Sequence, residues 1–508
     1  MRNGFRRINC IFNSLGKLLQ ILGLILLLPL LPAFIYWGQK GDGKPTASAF
    51  VVAAAISFVI GRIFRYRFKP QPLDMTASML ICALSWLLAS AVGALPFFFV
   101  LEANFLDAFF EAMSGFTTTG ITVFSGLDDM PRSILFWRAL TQWLGGIGIL
   151  SFFLLIVSEG GGAHHMFGAE SHKISSGRPA PGLFNTLRII WAIYALFTIL
   201  AAIILTLERM PPFDAVCHAL TALSTGGFSP HDSSIAIYRM TNHPHYRLIE
   251  YTLVFFMLLG GINFLVHYRV LHREIKALWD NIEVRYFWKF IVAFTAVIVI
   301  ERLYRAGGFA ALFKPNTSFS LGDFEQTFRN CLFQVVSILT TTGYATQNIG
   351  SDFFGSMARQ LFLVMMVVGG CVGSTSGGYK ILRVAILNRL MVRELFKLRT
   401  SGKASSALII DKKTVSEEEI HRIGALFFTW MALLVVGGAI TALLSSQGPL
   451  ESLSGMFSAV GNIGPCYISG SNMAVIHPIV KVTYILGMLA GRLEILPVLL
   501  LFSRKAWR

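Results

Sequence analysis

The sequence predicts an all-α polytopic membrane protein, in which two N-terminal transmembrane helices precede four tandem membrane–loop–membrane units with pseudo-fourfold symmetry. Three observations support this fold class. The chain of 508 residues is 54% hydrophobic and only 14% charged, whereas soluble domains carry about 25% charged residues. Apolar runs of about 20 residues, the length that a spanning helix needs, recur along the chain. A short polar motif interrupts the apolar sequence four times.

The apolar runs predict ten spans. They lie at about 15–38, 47–65, 76–101, 132–158, 183–207, 247–271, 286–306, 357–392, 423–447 and 475–502. The eighth is interrupted by GGCVGSTSGGYK, and a continuous helix is not expected there because each glycine costs about 1 kcal/mol relative to alanine. The six cysteines are scattered without a CxxC pair, which indicates neither a disulfide framework nor a zinc site.

The charge distribution predicts the orientation of the chain. Its 43 Lys and Arg residues exceed its 27 Asp and Glu residues, giving a net charge of +16. Nucleic-acid binding is not expected of so apolar a chain, and we attribute the excess to basic cytoplasmic loops. The basic residues concentrate in alternate loops, for example at Lys173 and Arg178 and over 393–413. This pattern predicts that both termini are cytoplasmic.

Four copies of the polar motif divide most of the chain into units. They are SGFTTTG from Ser114, LSTGG from Leu223, LTTTG from Leu339 and AVGNIG from Ala459. Repeats of this kind indicate repeated structural units. We align the copies on Gly120, Gly226, Gly343 and Gly464, after a two-helix segment at 1–70, which gives units at 71–165, 166–280, 281–410 and 411–508.

Two further features repeat with the motif. An acidic or amide residue stands thirteen positions before the aligned glycine in three units and twelve before it in the second: Asp107, Asn330, Glu451 and Asp214. We predict that these residues cap short helices that run into the motif. Small pairs follow in the next span and predict close helix packing: Gly145-Gly146, Gly260-Gly261, Gly369-Gly370 and Ala490-Gly491.

The repeated motif has the properties of a cation site. Irregular backbone within a membrane persists only where it is buried in protein or lines a water-filled cavity. A ring of backbone carbonyls can replace the water shell of an ion there. The motifs contain no acidic side chain, which favours a large monovalent ion over a divalent ion that takes carboxylates. One TTTG alone is equally consistent with a helix-ending turn.

The pattern resembles the Trk/Ktr/HKT superfamily of potassium transporters, whose pore is built from four membrane–pore-loop–membrane units, and the two additional N-terminal spans resemble its Trk branch. In sodium-permeable HKT relatives a serine occupies the position of Gly120, so glycine there favours potassium. The fourth motif departs from TTTG, which predicts weaker selectivity than in a dedicated potassium channel. The resemblance implies K+ as the only metal, no organic cofactor, and a filter formed by Thr118, Thr119, Gly120, Ser224, Thr225, Gly226, Thr341, Thr342, Gly343, Asn462, Ile463 and Gly464.

The resemblance also implies a gate in the interrupted eighth span and at Arg492. An intramembrane arginine is a functional hypothesis in its own right, and the alternative is a structural ion pair with Glu494 or a contact with Asn263. The resemblance implies a TrkA-like cytoplasmic ring of nucleotide-binding domains as partner, and a homodimer. The predicted gate residues are Gly370, Gly373, Ser374, Thr375, Gly377, Gly378, Lys380 and Arg492.

We therefore predict potassium-ion uptake across a bacterial inner membrane. The alternatives are a proton- or sodium-coupled secondary transporter, or a sodium-permeable member of the same superfamily. Secondary transporters with inverted repeats would place their motifs on alternate sides, whereas all four units here run in the same direction. An enzyme is not expected, because the intramembrane regions lack a nucleophile elbow or a zinc-protease motif.

Overall fold

The computed structural model describes residues 2–148, 151, 183–306, 321–399, 407–411 and 413–507. Several sequence predictions concern other residues. The basic loop with Lys173 and Arg178, the end of the predicted span 132–158, and positions 400–406 and 412 of the basic segment lie outside the described residues.

The two long N-terminal helices that the sequence predicts are present, and they pack against each other. They are joined through a short helix, and the three are α1 (Arg2–Ile25), α2 (Leu30–Ile35) and α3 (Lys44–Arg67). Gly16 of α1 and Gly61 of α3 face each other so closely that a Cβ atom on either would contact the backbone carbonyl of the other. Small residues at a crossing let membrane helices approach in this way.

The rest of the chain repeats a first helix, a short helix, a motif loop and a second helix. The first unit contains α4 (Met75–Gly93), α5 (Leu95–Leu101), α6 (Phe105–Phe116), a 3-10 turn (Leu127–Asp129) and α7 (Arg132–Gly146). The second contains α8 (Leu183–Leu207), α9 (Pro212–Leu223), α10 (Ala236–Met240), α11 (Tyr246–Gly261), α12 (Phe264–Leu271) and α13 (Ala277–Asp280). The third contains α14 (Ile282–Arg305), α15 (Leu321–Leu339), α16 (Ser356–Val368) and α17 (Ile381–Arg399).

A small antiparallel hairpin stands between the third and fourth units and was not predicted. Its strands are β1 (Ile409–Ile410) and β2 (Lys413–Thr414). The fourth unit follows with α18 (Glu417–Leu444), α19 (Pro449–Gly461), α20 (Gly470–Ala474), α21 (Pro478–Leu493) and α22 (Leu496–Leu501).

The second helix of each unit stops at or near its small-residue pair. The predicted spans 247–271 and 475–502 are therefore each interrupted by a break between two helices. Helices α11 and α12 meet at an angle of 105°, and α21 is separated from α22 by Glu494 and Ile495, which have φ values of 61° and 68°. Among the described residues, five helices are individually long and apolar enough to cross a membrane, or six if the bent pair forms one span.

The repeated acidic and amide residues do not cap the short helices, so this prediction is wrong. Asn104 caps α6 by accepting a hydrogen bond from a backbone N–H of its first turn. Asp107 instead forms an ion pair with Lys481 of α21 at 2.5 Å, although a negative charge in a first turn still interacts favourably with the helix dipole. The other three lie in the first turns of α9 and α19 or within α15: Asp214, Glu451 and Asn330.

Both ends of the described chain lie on the same side of the helix bundle. Arg7 of α1 donates a hydrogen bond to the Ala506 carbonyl at 2.8 Å and forms an ion pair with Asp74 at 2.7 Å. Asp74 also caps α4, so this cluster joins the N-terminal helices, the first unit and the C-terminal segment.

Candidate functional site

The four motif loops contact one another in a closed ring. Each contact joins the glycine of one unit to the backbone carbonyl of the next unit, which a Cβ atom on that glycine would meet. The ring therefore has approximate fourfold symmetry and places irregular, buried backbone from all four units around one centre. The contacts run from Gly120 to Gly226, from Gly227 to Thr342, from Gly343 to Ile463, and from Gly464 to Thr119.

Backbone angles show that the register of the second unit is shifted by one residue from the predicted alignment. Its glycine at positive φ is Gly227, at 73°, and not Gly226. The equivalent glycines of the other units have φ values of 83°, 89° and 107°, a region that glycine adopts at no steric cost. When the second unit is aligned on Gly227, Asp214 stands thirteen residues before the aligned glycine, the same spacing as in the other units. That spacing was the sequence signal for the correct register.

The residue two before each of these glycines also adopts the left-handed conformation. These residues are Thr118, Thr225, Thr341 and Asn462, with φ values between 50° and 56°. Asparagine tolerates this conformation well, which explains how the divergent fourth motif keeps the same backbone path. The side chain of Asn462 additionally donates a hydrogen bond to the Thr119 hydroxyl at 2.9 Å and thereby connects the fourth unit to the first.

Gln142 of α7 supports the second motif, and the sequence analysis missed it. Its Nε2 donates to the Gly226 carbonyl at 2.6 Å, and its Oε1 accepts from the Phe228 N–H at 2.9 Å. Gly226 lacks a side chain at the position that threonine occupies in the first and third units, and the Gln142 amide fills that space. In those two units pairs of threonine hydroxyls bond to each other instead: Thr117 with Thr119 and Thr340 with Thr342.

The loop 369–380 lies against the ring and touches three of the four units directly. The Thr375 hydroxyl accepts a hydrogen bond from the Thr225 hydroxyl at 3.2 Å. The backbone N–H of Gly377 donates to the Thr341 hydroxyl at 2.7 Å. The same glycine packs so closely on Gly461 of the fourth unit that a Cβ atom would meet the Gly461 carbonyl.

Arg492 of α21 connects this loop to the first unit. Its guanidinium donates to the Thr375 carbonyl at 2.8 Å, to the Thr118 hydroxyl at 3.2 Å, and to the carbonyls of Gly145 and Gly146, both at 2.6 Å. Arg492 thus lies at the junction of the ring, the loop and the end of α7. The sequence analysis named Glu494 and Asn263 as alternative partners of Arg492. In the structure, Glu494 forms an ion pair with Arg383 at 2.7 Å, and Asn263 caps α12.

The sequence alignment of the small pairs places Arg492 opposite Ile147 and Ile262. The contacts of these pairs place it one position earlier in the repeat. Gly145, Gly260 and Gly491 each pack on the last carbonyls of the short helix of their own unit. The residue that follows faces the next unit, as Gly146 does with Ser224 and Gly261 with Thr340. Arg492 is therefore the counterpart of these second glycines, and its long side chain crosses to the first unit.

The remaining predicted loop residues shape the loop itself. Gly369, Gly373 and Gly378 have positive φ values of 68°, 73° and 78°, which glycine supplies without strain. The Ser374 hydroxyl donates to the Cys371 carbonyl, and the Gly370 carbonyl accepts from the Ile381 N–H. Lys380 donates from Nζ to the Ser376 carbonyl. All eight predicted gate residues therefore lie in or against one compact loop.

Comparison with known proteins identifies the family. Residues 46–507 match the family described as TrkH, cation transport protein. The chain belongs to the TrkH family. It is 31% identical over 508 residues to the Trk system potassium uptake protein TrkH of Salmonella typhimurium, with 98% of this chain and 99% of that protein covered. It is 29% identical over 512 residues to the protein TrkG of Escherichia coli K12, with 99% of each chain covered.

A solved structure agrees with the TrkH assignment. The crystal structure of the potassium transporter TrkH from Vibrio parahaemolyticus superposes with a TM-score of 0.82 at 28% sequence identity, covering 99% of this chain and 100% of that one. The predicted all-α polytopic fold class and the resemblance to the Trk branch are confirmed. The prediction that the chain is a transporter and not an enzyme is also confirmed, since the TrkH family is one of cation transport proteins.

In this TrkH-family chain, His231 joins the first two units near the N-terminal end of α9. Its Nδ1 lies 2.5 Å from an Asp128 carboxylate oxygen and its Nε2 lies 3.0 Å from an Asp214 oxygen. Two carboxylate partners require that both ring nitrogens carry protons. Burial disfavours the charged imidazole, but the hydrogen bonds with Asp214 and Asp128 outweigh it and raise the pKa of His231.

The raised pKa predicts a pH dependence of stability. The contribution of His231 to the free energy of unfolding is complete below the ordinary histidine pKa of about 6.5. It is lost as the pH rises through the raised folded-state pKa. We expect the thermal midpoint of the purified protein to fall as the pH rises above about 6.5, and this fall to be smaller in His231→Gln. His421→Gln, at an exposed position on α18, is the control. Equal pH dependence in wild type and His231→Gln would contradict the prediction.

Proposed function

We propose that this chain is the pore-forming subunit of a potassium-ion uptake system in a bacterial inner membrane. The closed ring of four glycine–carbonyl contacts is the observation that carries the proposal, because it surrounds one centre with backbone from every unit. The relatives are named potassium uptake proteins, which supports K+ as the ion. Backbone carbonyls of the ring would replace the hydration shell of K+. The parallel direction of the four units favours a pore over a secondary transporter with inverted repeats.

The filter in this proposal follows the register of the backbone angles. Three successive residues per unit form the filter. In the second unit Gly227 is added to the predicted residues, and Ser224 is one residue before the three that form the filter. Potassium is the transported ion, and the acid-free motifs suit weak monovalent coordination. The proposed filter residues are Thr118, Thr119, Gly120, Thr225, Gly226, Gly227, Thr341, Thr342, Gly343, Asn462, Ile463 and Gly464.

The loop 369–380 and Arg492 form the gate in this proposal. The loop bonds to ring residues of the second and third units and packs on the fourth, and this position supports a proposed ion path from the ring past the loop. A guanidinium beside the ring adds a positive barrier in a region of low dielectric constant. Opening therefore requires both the loop and Arg492 to leave their positions.

A cytoplasmic partner completes the proposed system. The charge pattern supports cytoplasmic termini, and the described ends of the chain lie on one side. The basic segment 393–413 is proposed as the docking surface for a TrkA-like ring of nucleotide-binding domains. Two copies of this chain are proposed to form the membrane assembly.

Rescue of a potassium-uptake-deficient bacterium tests the proposal. We expect growth at low potassium and rubidium uptake when the chain is expressed with its regulator. Gly120→Ser is expected to lower the potassium-to-sodium permeability ratio about tenfold, since a Cβ at φ 83° would press on the Gly226 carbonyl and distort the ring. Immunoblots of the membrane fraction control for expression. Absence of both rescue and rubidium uptake in cells that contain wild-type protein and regulator would refute the proposal.

A further inference from the structure

Glu283 of helix α14 is hydrogen-bonded to the loop 369–380. Its side chain is buried, with 7% of the residue exposed, and its Oε1 accepts a hydrogen bond from the Val372 backbone N–H at 2.6 Å. One buried acid from a neighbouring helix therefore contacts the loop directly.

A second acid on α14 makes the same kind of contact at the other end of the helix. Glu301 accepts hydrogen bonds from the backbone N–H groups of Met357 at 3.0 Å and Ala358 at 2.8 Å. These residues begin α16, the helix that leads into the loop. Helix α14 is therefore bonded through carboxylates to the start of α16 and to Val372 of the loop, and of these two acids only Glu283 contacts the loop.

The Glu283 end of α14 is itself fixed to the hairpin that follows the third unit. Both carboxylate oxygens of Asp411, in the turn after β1, accept from the Ile282 backbone N–H at 3.0 and 3.1 Å. Asp411 also lies 3.8 Å from Arg285. A short series of contacts thus leads from the hairpin through the first residues of α14 to Val372 of the loop.

Movement of the loop away from the ring carries an energetic cost at Glu283. If Val372 leaves, the buried Glu283 side chain loses its hydrogen bond with the Val372 N–H, and leaving a buried polar group unpaired is unfavourable. The contact therefore stabilises the position in which the loop lies against the ring. We propose that Glu283 is a positioning residue that latches the loop 369–380 closed, and that Asp411 fixes the helix end that carries this latch. The inference rests on the proposed gate function of the loop.

The test is rubidium uptake into proteoliposomes that contain the full chain without regulator. Glu283→Ala is expected to raise this basal uptake about tenfold, which corresponds to about 1.4 kcal/mol in the closed-to-open equilibrium. Glu283→Gln, which keeps a neutral acceptor, is expected to give a smaller increase, and Asp411→Asn an increase in the same direction. Glu301→Ala is the matched control, because it removes an acid of equivalent bonding from the same helix without touching the loop.

The outcomes separate the latch from general destabilisation and from the proposed function. Thermal midpoints and size-exclusion profiles are measured for every variant, and if Glu283→Ala does not fold, Glu283→Gln decides. A basal uptake of folded Glu283 variants equal to wild type would overturn the latch, as would an equal leak in Glu301→Ala. If wild-type protein carries no rubidium even with regulator, the potassium-pore proposal fails instead.

Discussion

Gly227→Ala is expected to reduce rubidium uptake by at least about 100-fold, which corresponds to about 2.8 kcal/mol. The residue has a φ of 73°, where an alanine costs about 1–2 kcal/mol. Its Cβ would also overlap the Thr342 carbonyl of the next unit. That carbonyl belongs to the ring, and it cannot move away without changing the ring geometry.

Gly226→Ala is the matched control for this prediction. A Cβ there would meet the side-chain amide of Gln142, which can shift more readily than backbone, and Gly226 does not have a positive φ. We expect less than about a tenfold loss of rubidium uptake. The pair decides between the two alignments of the second motif. Greater loss in Gly226→Ala than in Gly227→Ala would restore the register predicted from sequence.

Arg492→Ala is expected to raise regulator-independent rubidium leak at least tenfold. The substitution removes four hydrogen bonds from one guanidinium, to the ring hydroxyl of Thr118, to the loop carbonyl of Thr375 and to Gly145 and Gly146. It also removes a positive charge from the proposed ion path, where opposing charge is costly because the dielectric constant is low. Both effects favour ion passage, and a loss of about 1.4 kcal/mol corresponds to tenfold.

Arg492→Lys separates the charge from the hydrogen bonds. Lysine keeps the positive charge but lacks the planar guanidinium that bonds several carbonyls at once. We expect a leak between those of wild type and Arg492→Ala, measured in the same proteoliposomes and normalised to the amount of reconstituted protein. Unchanged rubidium flux in Arg492→Ala would remove this residue from the gate.

Much of the architecture follows from local sequence patterns. Apolar length predicted the membrane helices, and the repeated motif predicted four units, because a spanning helix and a helix-ending loop are each specified by neighbouring residues. The small pairs also predicted close packing correctly. Local patterns did not predict the breaks in the second helices within 247–271 and 475–502. These helices break where they meet the motif loop of the next unit.

The fold class, the four motif loops and the loop 369–380 could be predicted from sequence, because the physical signals for these features lie within short stretches of chain. The register of the second motif at Gly227 and the partners of Arg492, Gln142 and Glu283 became visible only in the folded chain. Each of those depends on a contact between different units or between elements far apart in sequence. Glu283, at the start of a helix, has no distinguishing feature in the sequence. Its hydrogen bond with the Val372 N–H at 2.6 Å forms only when the chain folds.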